Sequence, residues 1–458
     1  MTKVSCFKAY DVRGRIDSEV TTDLALALGR ALAQVMAAKR VIIGRDVRAT
    51  SPSLANALTQ GLQAAGADVL DLGQCGTEEV YFATDHYGAD AGVMVTASHN
   101  PIDYNGFKMV GPGAAPLSDD TFRTIETVVA QALESGRAPD HATPGTHRYV
   151  DCRAAYADCI ANFIDPAALK PMHILANAGN GAAGPTFDAV IDALVAKGAP
   201  LTVTRKHHGG DPTFPNGIPN PLLPKNQPMT AQAVQAVGAD MGIAWDGDFD
   251  RCFFFDADGD FVPGEYMVGL LADAILAKNP QANIVHDPRV IWNTQAVVAK
   301  AGGTAVASKT GHALIKAKMR EAGAVYGGEM SAHHYFQDFM YCDSGMIPWV
   351  LLAAHVSATG TGLKDLVAGM RSKHPSSGEN NFRVADTKAA TAAIFDSYKD
   401  SATDIDHMDG ISMSFDGWRF NLRASNTEPL LRLNVEGLDA DLVAAKTKAL
   451  SDQIAALG

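Results

Sequence analysis

A hydroxyl and three carboxylates stand where buried strands should end. Ser98 lies in Thr96-Ala97-Ser98-His99-Asn100-Pro101, directly after the apolar run Ala91 to Val95, and in open α/β sheets the loops at the carboxyl ends of strands face the ligand. That location suits a nucleophile. His99 is not expected to act as its base, because neighbouring residues of an extended chain point to opposite sides. The second segment, Asp246-Gly247-Asp248-Phe249-Asp250-Arg251, follows Met241-Gly242-Ile243-Ala244-Trp245 and precedes Cys252-Phe253-Phe254-Phe255. Carboxylates at alternate positions repel one another unless a cation gathers them, and hard oxygen donors suit Mg²⁺ or Ca²⁺ better than zinc. A calcium loop counted from Asp246 fails twice, with Arg251 where Gly is needed and Ala257 where a bidentate Glu is needed. Mg²⁺ is the expected ion. Asp256, Asp258 and Asp260 surround Gly259 and read as an acidic turn.

Further along, Glu329, Ser331 and His333 alternate within Gly328-Glu329-Met330-Ser331-Ala332-His333-His334-Tyr335. On an extended loop all three would face one way, offering acceptors and donors to adjacent sugar hydroxyls. Arg423-Ala424-Ser425-Asn426-Thr427-Glu428-Pro429 joins a guanidinium to small side chains that leave backbone N–H groups free to surround an anion. That composition suits a phosphate cradle, although it also suits an ordinary turn before proline. Lys309-Thr310-Gly311-His312 and Tyr10-Asp11-Val12-Arg13-Gly14 add cationic and titratable groups at expected strand ends.

The elements that must position these groups recur along the chain. Gly88-Ala89-Asp90-Ala91-Gly92-Val93-Met94-Val95 matches Gly238-Ala239-Asp240-Met241-Gly242-Ile243-Ala244-Trp245, and Gly323-Ala324-Val325-Tyr326-Gly327-Gly328-Glu329 echoes both. Turns beginning at Gly66, Gly198 and Gly302 form a second set, each closing a helical run before a strand, as in βαβ units. Helical periodicity is expected over Asp23 to Met36, Ser53 to Ala64, Thr186 to Ala196 and Thr294 to Ala301, alternating with short apolar strands, so mostly parallel sheets are implied. Gly136 to His147 and Arg371 to Asn381 read as linkers. Beyond them, strands Ile411 to Phe415, Trp418 to Leu422 and Leu430 to Val435 precede a terminal helix from about Asp439, indicating a smaller α+β domain.

At 458 residues the chain needs several domains. Apolar residues make up 47% and charged residues 19%, an ordinary globular balance. A net charge of −13 argues against a nucleic-acid partner. The six cysteines lack paired metal-site spacing and read as free thiols of a reducing cytoplasm, and no membrane segment or signal peptide is expected.

The serine, metal, sugar and phosphate loops, in that order from Tyr10 to about Val435, resemble those of the α-D-phosphohexomutases, most closely the bacterial phosphomannomutase branch of GDP-mannose synthesis. The resemblance implies three related mixed-sheet α/β domains (1–150, 151–254 and 255–372) and a smaller C-terminal α+β domain (373–458) around a central active-site cleft. It implies that Ser98 carries a phosphoryl group, with Mg²⁺ held by that phosphate and by Asp246, Asp248 and Asp250, while Arg251 offsets charge on the moving group. Lys108 and His312 would be the general acid and base. Glu329, Ser331 and His333 would hold sugar hydroxyls; Arg423, Ser425, Asn426 and Thr427 would grip the phosphate not being transferred, and Tyr10 and Arg13 would line the cleft. The implied reaction interconverts mannose 6-phosphate and mannose 1-phosphate, with hexose 1,6-bisphosphate as intermediate and activator. Small-molecule hexose phosphates would be the partners, and the enzyme would be a monomer or weak homo-oligomer. Arg289 stands where relatives often have Lys, and Ser331-Ala332-His333 replaces the commoner Ser-Gly-His, which leaves glucose phosphate open as a substrate. A phosphatase using a phosphoserine intermediate and a non-enzymatic sugar-phosphate sensor are the alternatives of other classes.

Overall fold

A computed structural model describes residues 4–135, 141–424 and 430–457. The chain divides into two compact units, Met1–Phe261 with Phe336–Gly360, and Val262–Tyr335 with Thr361–Gly458. Among the described residues no helix is long and apolar enough to cross a membrane.

The first unit holds two sheets built on the same plan. In the larger, Arg40–Arg45 is flanked in parallel by Asp68–Gln74 and Ala91–Val95, and Tyr104–Val110 returns antiparallel to Ala91–Val95. In the smaller, Met172–Asn177 is flanked in parallel by Leu201–Lys206 and Met241–Trp245, and Cys252–Phe255 returns antiparallel to the latter. The second unit repeats the trio, with Asn283–His286 between Thr304–Ala307 and Tyr326–Gly328, both parallel to it. The repeated glycines explain why the plan recurs. Gly88, Gly238 and Gly323 have φ of 56°, 60° and 58°, and Gly66, Gly198 and Gly302 have φ of 86°, 96° and 73°. Each therefore ends a helix in a left-handed conformation that a Cβ would strain.

Helices Thr22–Met36 and Ser51–Ala64 match the periodicity in the sequence, the first capped by the Thr21 hydroxyl, which accepts from Leu24 N–H at 3.1 Å. Their apolar faces pack with Val41, Ile43, Val93 and Val95 into one buried core. The C-terminal sheet is antiparallel throughout, ordered Ser376–Arg383, Leu430–Gly437, Trp418–Ala424, Ile411–Phe415 and Asp404–Asp406. Helices Thr387–Tyr398 and Ala440–Ala455 cover its apolar face. One expectation needs correcting. Part of the stretch read as a linker, Arg371 to Asn381, is the first strand of this sheet, and its polar composition hid it. Residues 136–140 of the other expected linker lie outside the described residues.

Candidate active site

Ser98 and the three aspartates meet within the first unit. They occupy equivalent positions in the repeat, since Ala91–Val95 and Met241–Trp245 are matching strands and each loop begins where its strand stops. Ser98 Oγ lies 2.7 Å from Asp246 Oδ2. Gly247 permits the approach, because a Cβ there would come within 2.6 Å of the Ser98 carbonyl oxygen. Ser98 has φ of 49°, a left-handed conformation uncommon outside glycine. That twist overturns the expectation about His99. The chain is not extended here, and His99 Nδ1 lies 2.9 Å from Ser98 Oγ. Burial first, then the nearby Arg251 guanidinium, pulls the His99 ring down to about 4, so the imidazole is neutral near pH 7.

Arg251 Nη2 donates to Asp246 Oδ2 at 2.7 Å and to Ser98 Oγ at 3.3 Å. Burial pushes the Asp246 carboxyl up, but Arg251, His99 and Lys108 together outweigh it and hold the group well below the usual carboxylate range. Lys108, on Tyr104–Val110, donates to Asp248 Oδ2 at 2.7 Å and also bonds Asp250 Oδ2. Burial opposes its charge, yet those two carboxylates prevail and raise the ammonium above its ordinary value. Two cations thus face three carboxylates. The outer oxygens Asp246 Oδ1 and Asp248 Oδ1 are buried without a hydrogen-bond partner, and carboxylate oxygens of Asp246, Asp248 and Asp250 lie within 4.8 Å of one another. An all-oxygen set with orphaned buried acceptors fits a hard divalent cation. Asp256, by contrast, accepts from the N–H groups of Asp258 and Asp260 at 3.0 Å each, as an acidic turn should.

Around this centre are residues that sequence reasoning missed. Arg48 is buried and donates to four carbonyls of the serine loop: Ser98 at 3.0 Å, Asn100 at 2.6 Å, Pro101 at 2.7 Å and Tyr104 at 3.0 Å. Asp46 accepts from Thr96 Oγ1 at 2.8 Å, and Thr96 Oγ1 accepts from Ser98 N–H at 2.8 Å. Both main-chain groups of Ser98 are therefore held. The signal was a pair of charges directly after a strand, in Asp46-Val47-Arg48. Arg13 donates to Asn100 Oδ1 at 2.8 Å and to Asp11 at 2.7 Å, while Tyr10 is exposed nearby in the chain.

In the second unit the Glu329–His333 segment is a tight turn rather than an extended loop, with Ala332 at φ of 70° and its N–H donating to the Glu329 carbonyl at 3.0 Å. The common facing expected from alternation is therefore not what presents these side chains. Glu329 accepts from Gly311 N–H at 2.9 Å and from Tyr335 OH at 2.7 Å, which ties the turn to the residue that precedes His312 at the start of helix His312–Ala322. Ser331 lies in the turn, and His333 stacks on Tyr335 with ring centroids 6.1 Å apart. Arg423 is buried on Trp418–Ala424. Ser425, Asn426 and Thr427 lie outside the described residues.

A buried serine held beside three buried aspartates, on an α/β plan that occurs three times, is an arrangement suited to phosphoryl transfer. Comparison with known proteins agrees. Domains I, II, III and the C-terminal domain of the phosphoglucomutase/phosphomannomutase family match residues 4–135, 149–259, 263–373 and 379–453. The chain belongs to that family. It is 53% identical over 454 residues to a phosphomannomutase of Salmonella typhimurium, covering 98% of this chain and 99% of that one. It is 54% identical over 449 residues to a protein of Xanthomonas campestris named phosphohexose mutases, covering 97% and 98%. A crystal structure of a phosphoglucomutase/phosphomannomutase family protein from Burkholderia thailandensis superimposes with a TM-score of 0.86 at 31% identity, over 100% of this chain and 98% of that one.

Proposed function

We propose that the chain is a phosphomannomutase, interconverting mannose 6-phosphate and mannose 1-phosphate through a phosphorylated Ser98 and a hexose 1,6-bisphosphate. The observation that carries this reading is the 2.7 Å approach of Ser98 Oγ to Asp246, beside two further buried carboxylates. Asp246, Asp248 and Asp250, with a phosphate on Ser98, would hold Mg²⁺. When bound, such an ion offsets charge on the phosphoryl group during transfer. A phosphoserine brings roughly −1.5 to −2 charge, which three carboxylates would otherwise repel.

The chain's own residues then perform the transfer. A hexose hydroxyl oxygen forms its bond to phosphorus as the bond to Ser98 Oγ breaks, and the hydroxyl proton passes to a base. Arg251, already 3.3 Å from Ser98 Oγ, offsets charge on the departing oxygen. His312 and Lys108 are the proton-transfer residues of this reading, Glu329, Ser331 and His333 hold sugar hydroxyls, and Arg423 with Ser425, Asn426 and Thr427 grips the second phosphate. Tyr10 and Arg13 complete the substrate site. The bisphosphate turns end for end, and Ser98 takes back the other phosphate. We place the domain boundaries near residues 150, 254 and 372, and the product in GDP-mannose supply in the cytoplasm. The Xanthomonas relative's name, phosphohexose mutases, is broader than one sugar, and glucose phosphate is the alternative substrate of this reading.

The test is intact-mass analysis of the wild type and Ser98→Ala after incubation with hexose 1,6-bisphosphate, alongside turnover of mannose 1-phosphate and glucose 1-phosphate. The wild type should gain one phosphoryl group and the variant none. A variant that still gained it would remove Ser98 as the carrier.

A further inference from the structure

On one face of the C-terminal sheet, charge is matched at one end and mismatched at the other. Trp418–Ala424 and Leu430–Gly437 pair so that Arg419 faces Glu436, Asn421 faces Asn434, and Arg423 faces Arg432. The alternate residues Phe420, Leu422, Leu433 and Val435 turn into the apolar core. Arg419 closes on Glu436 at 2.7 Å. Arg423 and Arg432 are like charges directly opposite, which destabilises a sheet unless an anion joins them.

The adjoining strand supplies one. In Ser376–Arg383, Asn381 pairs with Arg432 and Glu379 with Asn434, which puts Glu379 on the same face. Its carboxylate lies 3.6 Å from Arg432, 3.7 Å from Arg423 and 3.6 Å from Arg289. These are ion-pair separations, too long for direct hydrogen bonds. Glu379 Oε2 and the Nε atoms of Arg289, Arg423 and Arg432 are buried with no hydrogen-bond partner. Other described anions near them are already engaged: Asp287 accepts from Arg289 Nη2 at 2.6 Å, Asp409, 4.0 Å from Arg423, accepts from Thr310 at 2.7 Å, and Glu329, whose charge reaches Arg289, accepts from Gly311 and Tyr335. Three guanidiniums thus share a carboxylate that bonds none of them fully.

We infer that Glu379 is the resident counter-charge of a three-arginine phosphate seat, with Arg432 as its third member, and that it sets how readily the seat releases a phosphate ester. This rests on the mutase reading above. A bisphosphate that must turn between two transfers has to leave each phosphate site within the catalytic cycle. Glu379 competes for the guanidiniums and keeps that departure fast. It touches no reacting atom and is a positioning residue.

The test compares wild type, E379Q, E379D and E379Q/R432Q by calorimetric binding of inorganic phosphate and by kcat and KM for mannose 1-phosphate. E379Q should bind phosphate about ten-fold more tightly, the usual reach of one neighbouring charge, with KM and kcat both lowered. E379D, which keeps the charge, should restore both, and the charge-balanced double variant should return phosphate affinity toward wild type. E379Q that binds phosphate no more tightly at an unchanged Tm would overturn the inference. If E379Q does not fold, the double variant decides: wild-type affinity supports the inference and lost phosphate binding overturns it. A wild type that binds phosphate but converts no hexose phosphate would refute the mutase reading, while the phosphate affinities still decide the role of Glu379.

Discussion

Thr77 and Asp248 hold each other twice. The Thr77 hydroxyl donates to Asp248 Oδ2 at 2.7 Å, and the Thr77 N–H donates to the Asp248 main-chain carbonyl at 3.1 Å. Thr77 opens the helix Thr77–His86, so the direction of one carboxylate of the aspartate loop is set by a rigid element from the preceding α/β unit. Gly76, just before it, leaves room for the Phe249 ring of the aspartate loop, which a Cβ would strike.

Thr77→Val keeps the shape of the side chain and removes the hydroxyl. Outer groups that orient ligands typically contribute 10- to 100-fold to metal affinity. The concentration of Mg²⁺ giving half-maximal mutase activity should therefore rise by about that factor, with little change in KM for the sugar phosphate. An unchanged Mg²⁺ requirement would show that Asp248 is aimed by Lys108 alone.

Arg48→Lys retains a buried charge but loses the planar fork that reaches four carbonyls. A misplacement of about 1 Å at a reacting atom costs on the order of 100-fold in rate. Steady-state kinetics should show kcat falling by about that much while KM stays near wild type, because Arg48 shapes the serine loop rather than the sugar site. Added guanidinium ion should partly restore Arg48→Ala. A purely structural role would lower Tm and leave the kcat of the folded fraction intact.

Asp287 should make the protein's stability depend on pH in acid. Burial pushes its carboxyl up, and Arg289 at 2.6 Å outweighs burial and holds it below the usual range. A carboxyl with a lower value folded than unfolded stabilises above the unfolded value, about 4, and that contribution is lost as pH falls through the folded value. Asp287→Asn should therefore cost about 3 kcal/mol in urea unfolding at pH 7, by leaving Arg289 without its bonded partner. The gap between variant and wild type should narrow as pH drops below about 4. A gap independent of pH would assign the loss to packing.

Much of this centre was legible in the sequence because apolar runs and glycines mark strand ends. Ser98 and Asp246 follow matching strands, and the repeated glycines that announce those strands all adopt left-handed φ. What escaped depended on backbone conformations that residue types do not announce. Ser98 and Ala332 are left-handed without being glycine, so alternation failed as a guide at His99 and across Glu329 to His333. Arg48 and Asp46 escaped because charged residues are seldom buried, and the pattern of the chain does not say which four carbonyls a guanidinium will find. Ser376–Arg383 escaped because its neighbours, rather than its own side chains, make it a strand.

The alternation along Trp418–Ala424 and Leu430–Gly437 also has a consequence for how the chain reaches its fold. Sliding either strand by a single residue would drive Arg419, Asn421 and Arg423, or Arg432, Asn434 and Glu436, into the oily layer beneath the helices. Misaligned hairpins are thus rejected during assembly, and the spot where positive charge outnumbers negative is settled by strand alignment before any sugar phosphate arrives.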